Sequence, residues 1–527
     1  MPPAAVSRHL ALLFGATILG SLLPGALLAQ NQKSAARELR LALDELDEKP
    51  ENGSRVVKAI EQLGQDDSER TVKALLDAAV QIEKLATPIV AQRKKALLAE
   101  GGSNRLKRSR YELQNLDDAA EAIATALRGM KTTDAISEML SRLTDRGGML
   151  PLWLRLQLAA RAGDVAAEDL TWRATDGGKA GTETVLAMLA ASAALGRRAA
   201  EGQGGKWIAA QLIHKNPDIR IAAARALAGM ASPIAIELLI DRIDAEQGAV
   251  REAVLDALVV LTGKDPGGST ASWRAWLQAE GGPFLAGTVE LGRGSASLRQ
   301  RPRSGHTVSG TYFGIEQTGD SILYVFDNSQ SMQAKLGGAG KGPGPITGGA
   351  PQTRWDLCRR ELKHALAALP QHKRFNLVAF ANRILTFAPT MTAATEDNVA
   401  RAIEWLDGLK LEFQTNVFDA FETAFALAGR GVGDRYYPSE VDTIFFLSDG
   451  GPTIANLAKP GIGPDNADCI LRAVRRWNAL GRVTVHSIGL GLQNRKRERD
   501  DQGRLFPAVF LRQLAEQNGG RFEMAKR

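Results

Sequence analysis

Between Thr311 and Arg527 the chain alternates short unbroken apolar runs with amphipathic stretches, and that alternation admits few folds. Ser321–Phe326 reads SILYVF, Thr443–Leu447 reads TIFFL, and Val483–Ile488 reads VTVHSI. A continuous apolar run such as SILYVF fits a strand covered on both faces, and Thr443–Leu447 and Val483–Ile488 are read as a second and third buried strand. Further strands are predicted at Phe375–Phe380 and Arg521–Met524. Helices are predicted at Arg354–Leu369, Asn398–Leu406, Val417–Ala428, Ala467–Leu480 and Pro507–Gln517. Strands alternating with helices build a mainly parallel sheet with helices on both faces, a doubly wound α/β domain. In such a sheet ligands bind beyond the C-terminal strand ends, where the strand order reverses.

Two strand ends carry an unusual density of oxygen. The first strand runs into Asp327-Asn328-Ser329-Gln330-Ser331-Met332, and a later one into Ser448-Asp449-Gly450. Between them, Gln414-Thr415-Asn416 opens a helix. Asp327, Ser329, Ser331, Thr415 and Asp449 thus bring two carboxylates and three hydroxyls toward one sheet edge. All are hard oxygen donors, the set that magnesium prefers. Two aspartates balance the charge of a divalent ion, and hydroxyls add none. The ion would stay electrophilic enough to accept one more oxygen from outside.

The D-x-S-x-S of Asp327, Ser329 and Ser331, with Thr415 and Asp449, resembles the metal-ion-dependent adhesion site of a von Willebrand factor type A (VWA) domain. The likeness runs from about Thr311 to Arg527 and includes Arg354-Trp355-Asp356, Arg374-Phe375-Asn376-Leu377 and Leu514-Ala515-Glu516-Gln517-Asn518-Gly519-Gly520. It implies a Rossmann-like VWA fold holding Mg2+, or Mn2+ or Ca2+. In that family the serines ligate directly, the threonine directly or through water, and the aspartates often through water. The remaining position commonly takes an acidic side chain of a protein partner. Two departures stand out: Gln330 where many relatives have glycine, and Phe413-Gln414 where they often place glycines. Neither removes a ligand oxygen.

Residues 35 to about 285 read as helices with short polar breaks, and here the chain repeats itself. Asp218-Ile219-Arg220 opens a helix with Ala223, Ala226 and Leu227; Ala249-Val250-Arg251 opens another with Val254, Ala257 and Leu258. The offset is 251 − 220 = 31 residues. Ser232-Pro233 starts a helix between them, since proline has no N–H to leave unpaired there. Helix pairs at this period suggest stacked solenoid units and resemble HEAT-type repeats, with Leu154–Ala162 and Val185–Leu195 as looser matches; a plain helical bundle is the alternative. Trp273 and Trp276 read as packing that closes the array. Residues 286–310 turn rich in Gly, Ser and Arg, the composition of a solvated linker or of a contact with an anionic surface.

The first residues read as an export signal. Arg8 and His9 precede an apolar run from Leu10 to Leu23, Pro24-Gly25 breaks it, and cleavage is expected after Ala29. The alternative is an uncleaved anchor, because Leu10 to Ala29 is about long enough to span a bilayer. Either way a secreted, periplasmic or envelope location follows. The two cysteines, Cys358 and Cys469, exclude a disulfide-dense scaffold, and their pairing stays open. A net charge of +7 spread over 527 residues shows no stripe for specific nucleic-acid binding.

Enzyme signatures fail on their residues. Around Gly337–Gly342 the phosphate-loop pattern breaks at Lys335 and at Gly342, which follows Lys341 where Ser or Thr is required. His486 lies mid-strand and reads as a core residue. The insertion 337–351, with seven glycines and three prolines, cannot be regular structure. It and the loop Gln493–Arg504 leave the sheet at the metal-ligand end, where they suit partner selection. The expected protein is a non-enzymatic one that captures a protein partner by an acidic side chain. A metal-independent assembly subunit and, further off, a metal-dependent hydrolase are the other readings. The membrane enters only through the N-terminal segment or the linker.

Overall fold

The computed structural model describes residues 34–46, 53–97, 103–143, 154, 182–195, 203–292, 294, 310–336, 353–428, 441–452, 467–478, 481–493 and 497–525. The expected export signal, the insertion 337–351 and most of the linker and of Leu154–Ala162 lie outside these residues. The chain divides into two compact units, one of Met1–Leu85 with Asn115–Pro151, the other of Ala86–Gln114 with Leu152–Arg527. In the first, Val56, Ile60, Val72, Leu75, Ile123 and Leu127 are buried. The Asp67 carboxylate there accepts from the Lys131 and Thr132 N–H groups at 2.7 and 2.9 Å. It thereby satisfies donors that the start of the Thr133–Leu143 helix would leave open.

The second unit holds the sheet. A two-residue hairpin, β1 (Thr311–Tyr312) and β2 (Ile315–Glu316), precedes β3 (Ser321–Asp327). There follow β4 (Arg374–Phe380), β5 (Ile384–Thr386), β6 (Thr392–Ala393), β7 (Thr443–Ser448), β8 (Thr484–Leu490) and β9 (Phe522–Ala525). The sheet order is β5-β4-β3-β7-β8-β9, with β6 also on β4; β4, β3, β7, β8 and β9 are parallel, and β5 and β6 run antiparallel. From β3 the chain goes to β4 on one side and later to β7 on the other, so the order reverses at β3. Asp327 pairs with Phe380 and Ser448 with Gly489, which aligns the C-terminal strand ends.

Both faces are covered, as the unbroken apolar runs require. Ile322, Tyr324 and Phe326 pack with Trp355, Leu362, Leu366 and Leu406 on one side. Leu323 and Val325 pack on the other with Phe421, Phe425, Ile470, Phe510 and Leu514. The helices begin where capping residues stand. Thr353 and Asp356 form a capping box before Arg354–Ala367, and Thr395 and Asn416 cap Glu396–Gly408 and Val417–Leu427. The first of these helices ends at Ala367, short of the expected Leu369, because Pro370 follows. β8 continues past the expected Ile488 to Leu490. A Cβ on Gly489 would stand 2.7 Å from Leu492 Cδ1, so the glycine lets that side chain close over the strand. His486 is the core residue expected: its Nδ1 accepts the Arg521 N–H at 3.0 Å and its ring stacks on Phe445.

The helices Pro217–Met230, Ile234–Ile240, Gly248–Thr262 and Thr270–Glu280 share a core of Leu227, Ile236, Leu239, Val254 and Leu258. Both repeated arginines donate to backbone carbonyls, though not at equivalent positions. Arg220 Nη1 donates to the His214 carbonyl at 2.8 Å, and Arg251 Nη2 to that of Gly268 at 2.8 Å. Trp273 and Trp276 are buried edge to face, 5.5 Å between centroids, with Phe284 against Trp276. Arg225 Nη2 reaches the Gly481 carbonyl at 2.7 Å, and Asp218 pairs with Arg482, both just before β8. Gly481 takes φ +59°, and a Cβ there would strike the Arg225 guanidinium. Cys358 and Cys469 are free thiols. Among the described residues no helix is long and apolar enough to cross a membrane.

Candidate metal centre

The first loop folds on itself through Asp327. Its Oδ1 accepts the Ser329 N–H at 2.8 Å, and its Oδ2 accepts the Ser448 hydroxyl at 2.8 Å. Asp327 is wholly buried. Burial, with the nearby Asp449 charge second, pushes its carboxyl up to about 7. Past it, a 3-10 turn at Gln330–Gln333 brings Ser331 back over Ser329, their Oγ atoms 2.9 Å apart. Ser331 donates onward to Asp449 Oδ1 at 2.7 Å. Four of the five predicted oxygens-bearers are therefore joined in one hydrogen-bonded cluster. Asp327, Ser329 and Asp449 are buried, whereas Ser331 is exposed, so the cluster opens to solvent on its serine side.

Thr415 arrives on a neighbouring loop. The Asn416 N–H donates to the Ala381 carbonyl just past β4, the strand beside β3. The stretch before it is laced to the first loop, with Gln330 N–H on the Glu412 carbonyl at 2.8 Å and Glu412 N–H on the Asn328 carbonyl at 3.0 Å. Gln414 has φ +66°, the left-handed region glycine enters freely. This chain places a glutamine in that conformation. Phe413 is left 67% exposed beside it. Gln330, the other departure, is exposed and displaces no ligand oxygen. Asn416 fixes Thr415 from behind: its Oδ1 accepts the Asp419 N–H at 3.1 Å and its Nδ2 donates to Asp419 Oδ2 at 2.6 Å. Replacing Asn416 by alanine is expected to cost about 1–2 kcal/mol of stability, as for other helix caps. Urea unfolding checks it, and a change below about 0.3 kcal/mol would deny the cap that role.

The donor set fits a hard divalent cation. An octahedral magnesium with oxygens at about 2.1 Å places neighbouring ligands about 3 Å apart, and the two serine hydroxyls already stand at 2.9 Å. Among the described residues no group of three or more His, Cys, Asp or Glu side chains gathers as a metal cluster. A cation here would rest on two carboxylates and on hydroxyls.

Two participants escaped the sequence reading. Ser448 holds the inner oxygen of Asp327 from the end of β7; its position directly before Asp449 was the available signal. Arg354 Nη1 bonds Asp449 Oδ2 at 2.7 Å, a pairing across 95 residues that no local spacing encodes. In the loop after β8, Arg504 pairs with Asp500 at 2.8 Å within the loop, and Arg499 pairs at 2.8 Å with Asp468 on the helix Ala467–Trp477.

No family model matches the chain. Its relatives are inter-alpha-trypsin inhibitor heavy chains and VWA-domain proteins. Inter-alpha-trypsin inhibitor heavy chain H4 of Bos taurus is 26% identical over 201 residues, 38% of this chain and 18% of that protein. Human von Willebrand factor A domain-containing protein 3B is 25% identical over 134 residues, 25% of this chain and 8% of the other. The chain thus spans less than a fifth of the length of these relatives. A solved von Willebrand factor type A structure from Catenulispora acidiphila covers 40% of each chain at 16% identity, with a TM-score of 0.28.

Proposed function

We propose that this VWA-like chain is a non-catalytic binding protein, exported to the envelope or beyond. Its α/β domain captures an acidic side chain of a protein partner through Mg2+ held by Asp327, Ser329, Ser331, Thr415 and Asp449. The observation that carries the reading is the cluster Asp327–Ser329–Ser331–Asp449 at the strand-order reversal, closed by 2.7–2.9 Å contacts and open on the Ser331 side. The likeness to VWA-domain proteins supports an interaction or adhesion role in general. The helical region of residues 35–285 is read as a HEAT-like arm, whose stacked pairs would add an extended contact surface. The apolar segment Leu10–Leu23 supports export.

One observation favours a second reading. Asp449 already carries a cation, the Arg354 guanidinium, so one of the two carboxylates is neutralised without metal. A metal-independent assembly subunit would exploit that. Chelation separates the two. Partners captured from an envelope extract in Mg2+ should be released by EDTA and should not bind Asp327→Ala. A captured set unchanged by both treatments would favour the assembly subunit.

A further inference from the structure

Arg354 is built into the rim of the site with more care than a surface arginine needs. The Thr353–Asp356 capping box fixes the helix start that carries it. Its N–H donates to the Ala334 carbonyl at 3.0 Å, tying it to the end of the first loop. Its guanidinium lies against Gly491, just past β8, where φ is +63° and a Cβ would stand 2.6 Å from Nε and Nη2. Only a bare backbone admits the side chain in that position. From there Nη1 reaches Asp449 Oδ2 at 2.7 Å, while Asp449 Oδ1 takes the Ser331 hydroxyl. The arginine side chain remains 22% exposed, so the charge is held in place yet is in reach of solvent.

We infer that Arg354 is a specificity-determining residue: a fixed positive charge that loosens the hold on the cation and strengthens capture of a carboxylate. The inference rests on the metal reading above and adds a residue to it. A divalent ion bonded to or near Asp449 is repelled by the guanidinium on the opposite oxygen, and shares that carboxylate's charge with it. An incoming carboxylate is attracted by both. The planar guanidinium has five N–H donors and suits a carboxylate's paired oxygens, and the contact with Asp449 occupies one of them. The two effects have opposite signs. A residue that merely held Asp449 in place would support both affinities in the same direction.

The test uses the full chain, Mn2+ as the metal probe and acetate as the carboxylate probe. Mn2+ affinity is read by calorimetry. Acetate affinity is read from relaxation of its methyl protons by the Mn2+-loaded protein. Arg354→Gln is expected to bind Mn2+ about fivefold tighter and acetate about tenfold weaker than wild type. Arg354→Lys keeps the charge without the fork, so its Mn2+ affinity should match wild type while acetate weakens about threefold. That second variant decides the matter if the first does not fold. Weaker Mn2+ binding in either variant, or unchanged acetate affinity, would overturn the assignment and leave the metal site standing. A wild-type chain that binds no Mn2+ would overturn the metal reading, and the role of Arg354 with it.

Discussion

Arg93→Met is expected to lower the unfolding free energy by about 3 kcal/mol, the scale for stripping one partner from a buried ion pair. The Arg93 side chain is 1% exposed although it comes from the Glu69–Leu97 helix, far from the sheet in sequence. Its Nε donates to Glu422 Oε1 at 2.6 Å, Nη2 pairs with Glu422 Oε2, and Nη1 donates to Ser109 Oγ at 3.0 Å. Asp419 Oδ1 lies 3.6 Å away. Methionine fills much of the volume and removes the charge, leaving two carboxylates facing each other in a poorly hydrated place. The effect is therefore electrostatic rather than a cavity. Urea unfolding should show a lower midpoint at an unchanged slope. Adding Glu422→Gln should restore part of the loss, with a coupling above about 1 kcal/mol. Additive losses would show that the pair contributes little. Asp419 also holds Asn416, next to Thr415. The clamp thus ends one residue from a candidate ligand.

Asp327→Asn should produce an uncommon combination: cation binding reduced at least about a hundredfold, with a cation-free chain that is more stable at pH 8. The raised carboxyl explains the sign. In the folded chain Asp327 is pushed up to about 7, by burial first and by Asp449 second. A group raised on folding contributes its stability below its unfolded value near 4, and that contribution is lost as pH rises through about 7. At pH 8 the folded chain holds a buried charge that the unfolded chain would hydrate. Asparagine removes the charge, and its carbonyl still accepts the Ser329 N–H. Its amide can donate to Ser448, whose hydroxyl then serves as acceptor. Unfolding in EDTA should show the variant about 2–4 kcal/mol more stable at pH 8, converging with wild type near pH 4. A variant less stable at pH 8 would mean that Asp327 is structural, and that the site was not shaped to await a cation.

The α/β half of the molecule was legible because its strands are buried on both faces. Ile322–Phe326 and Ile444–Leu447 show no apolar-polar alternation to confuse their reading, and the D-x-S-x-S turn keeps its chemistry within five neighbouring positions. Helix starts were legible where a capping threonine or asparagine stands, as at Thr353 and Asn416. What escaped was non-local. Arg354 meets Asp449 only because β7 lies beside β3, and Ser448 turns toward Asp327 only once those strands are in register. Arg93 and Glu422 are 329 residues apart, and nothing near either one names the other. The bounds of β8 were missed at Gly489, where the need for a small residue comes from Leu492 and not from the strand.

Capture of an acidic partner requires a divalent cation among the oxygens at the end of β3. The most direct measurement is anomalous diffraction from crystals grown in excess Mn2+. One peak is expected within about 2.1–2.3 Å of the Ser329 and Ser331 hydroxyls, with Asp327 and Asp449 in contact directly or through one water. Full-occupancy crystals showing no peak there, with Ser329, Ser331 and Asp449 bonded only to one another, would contradict it.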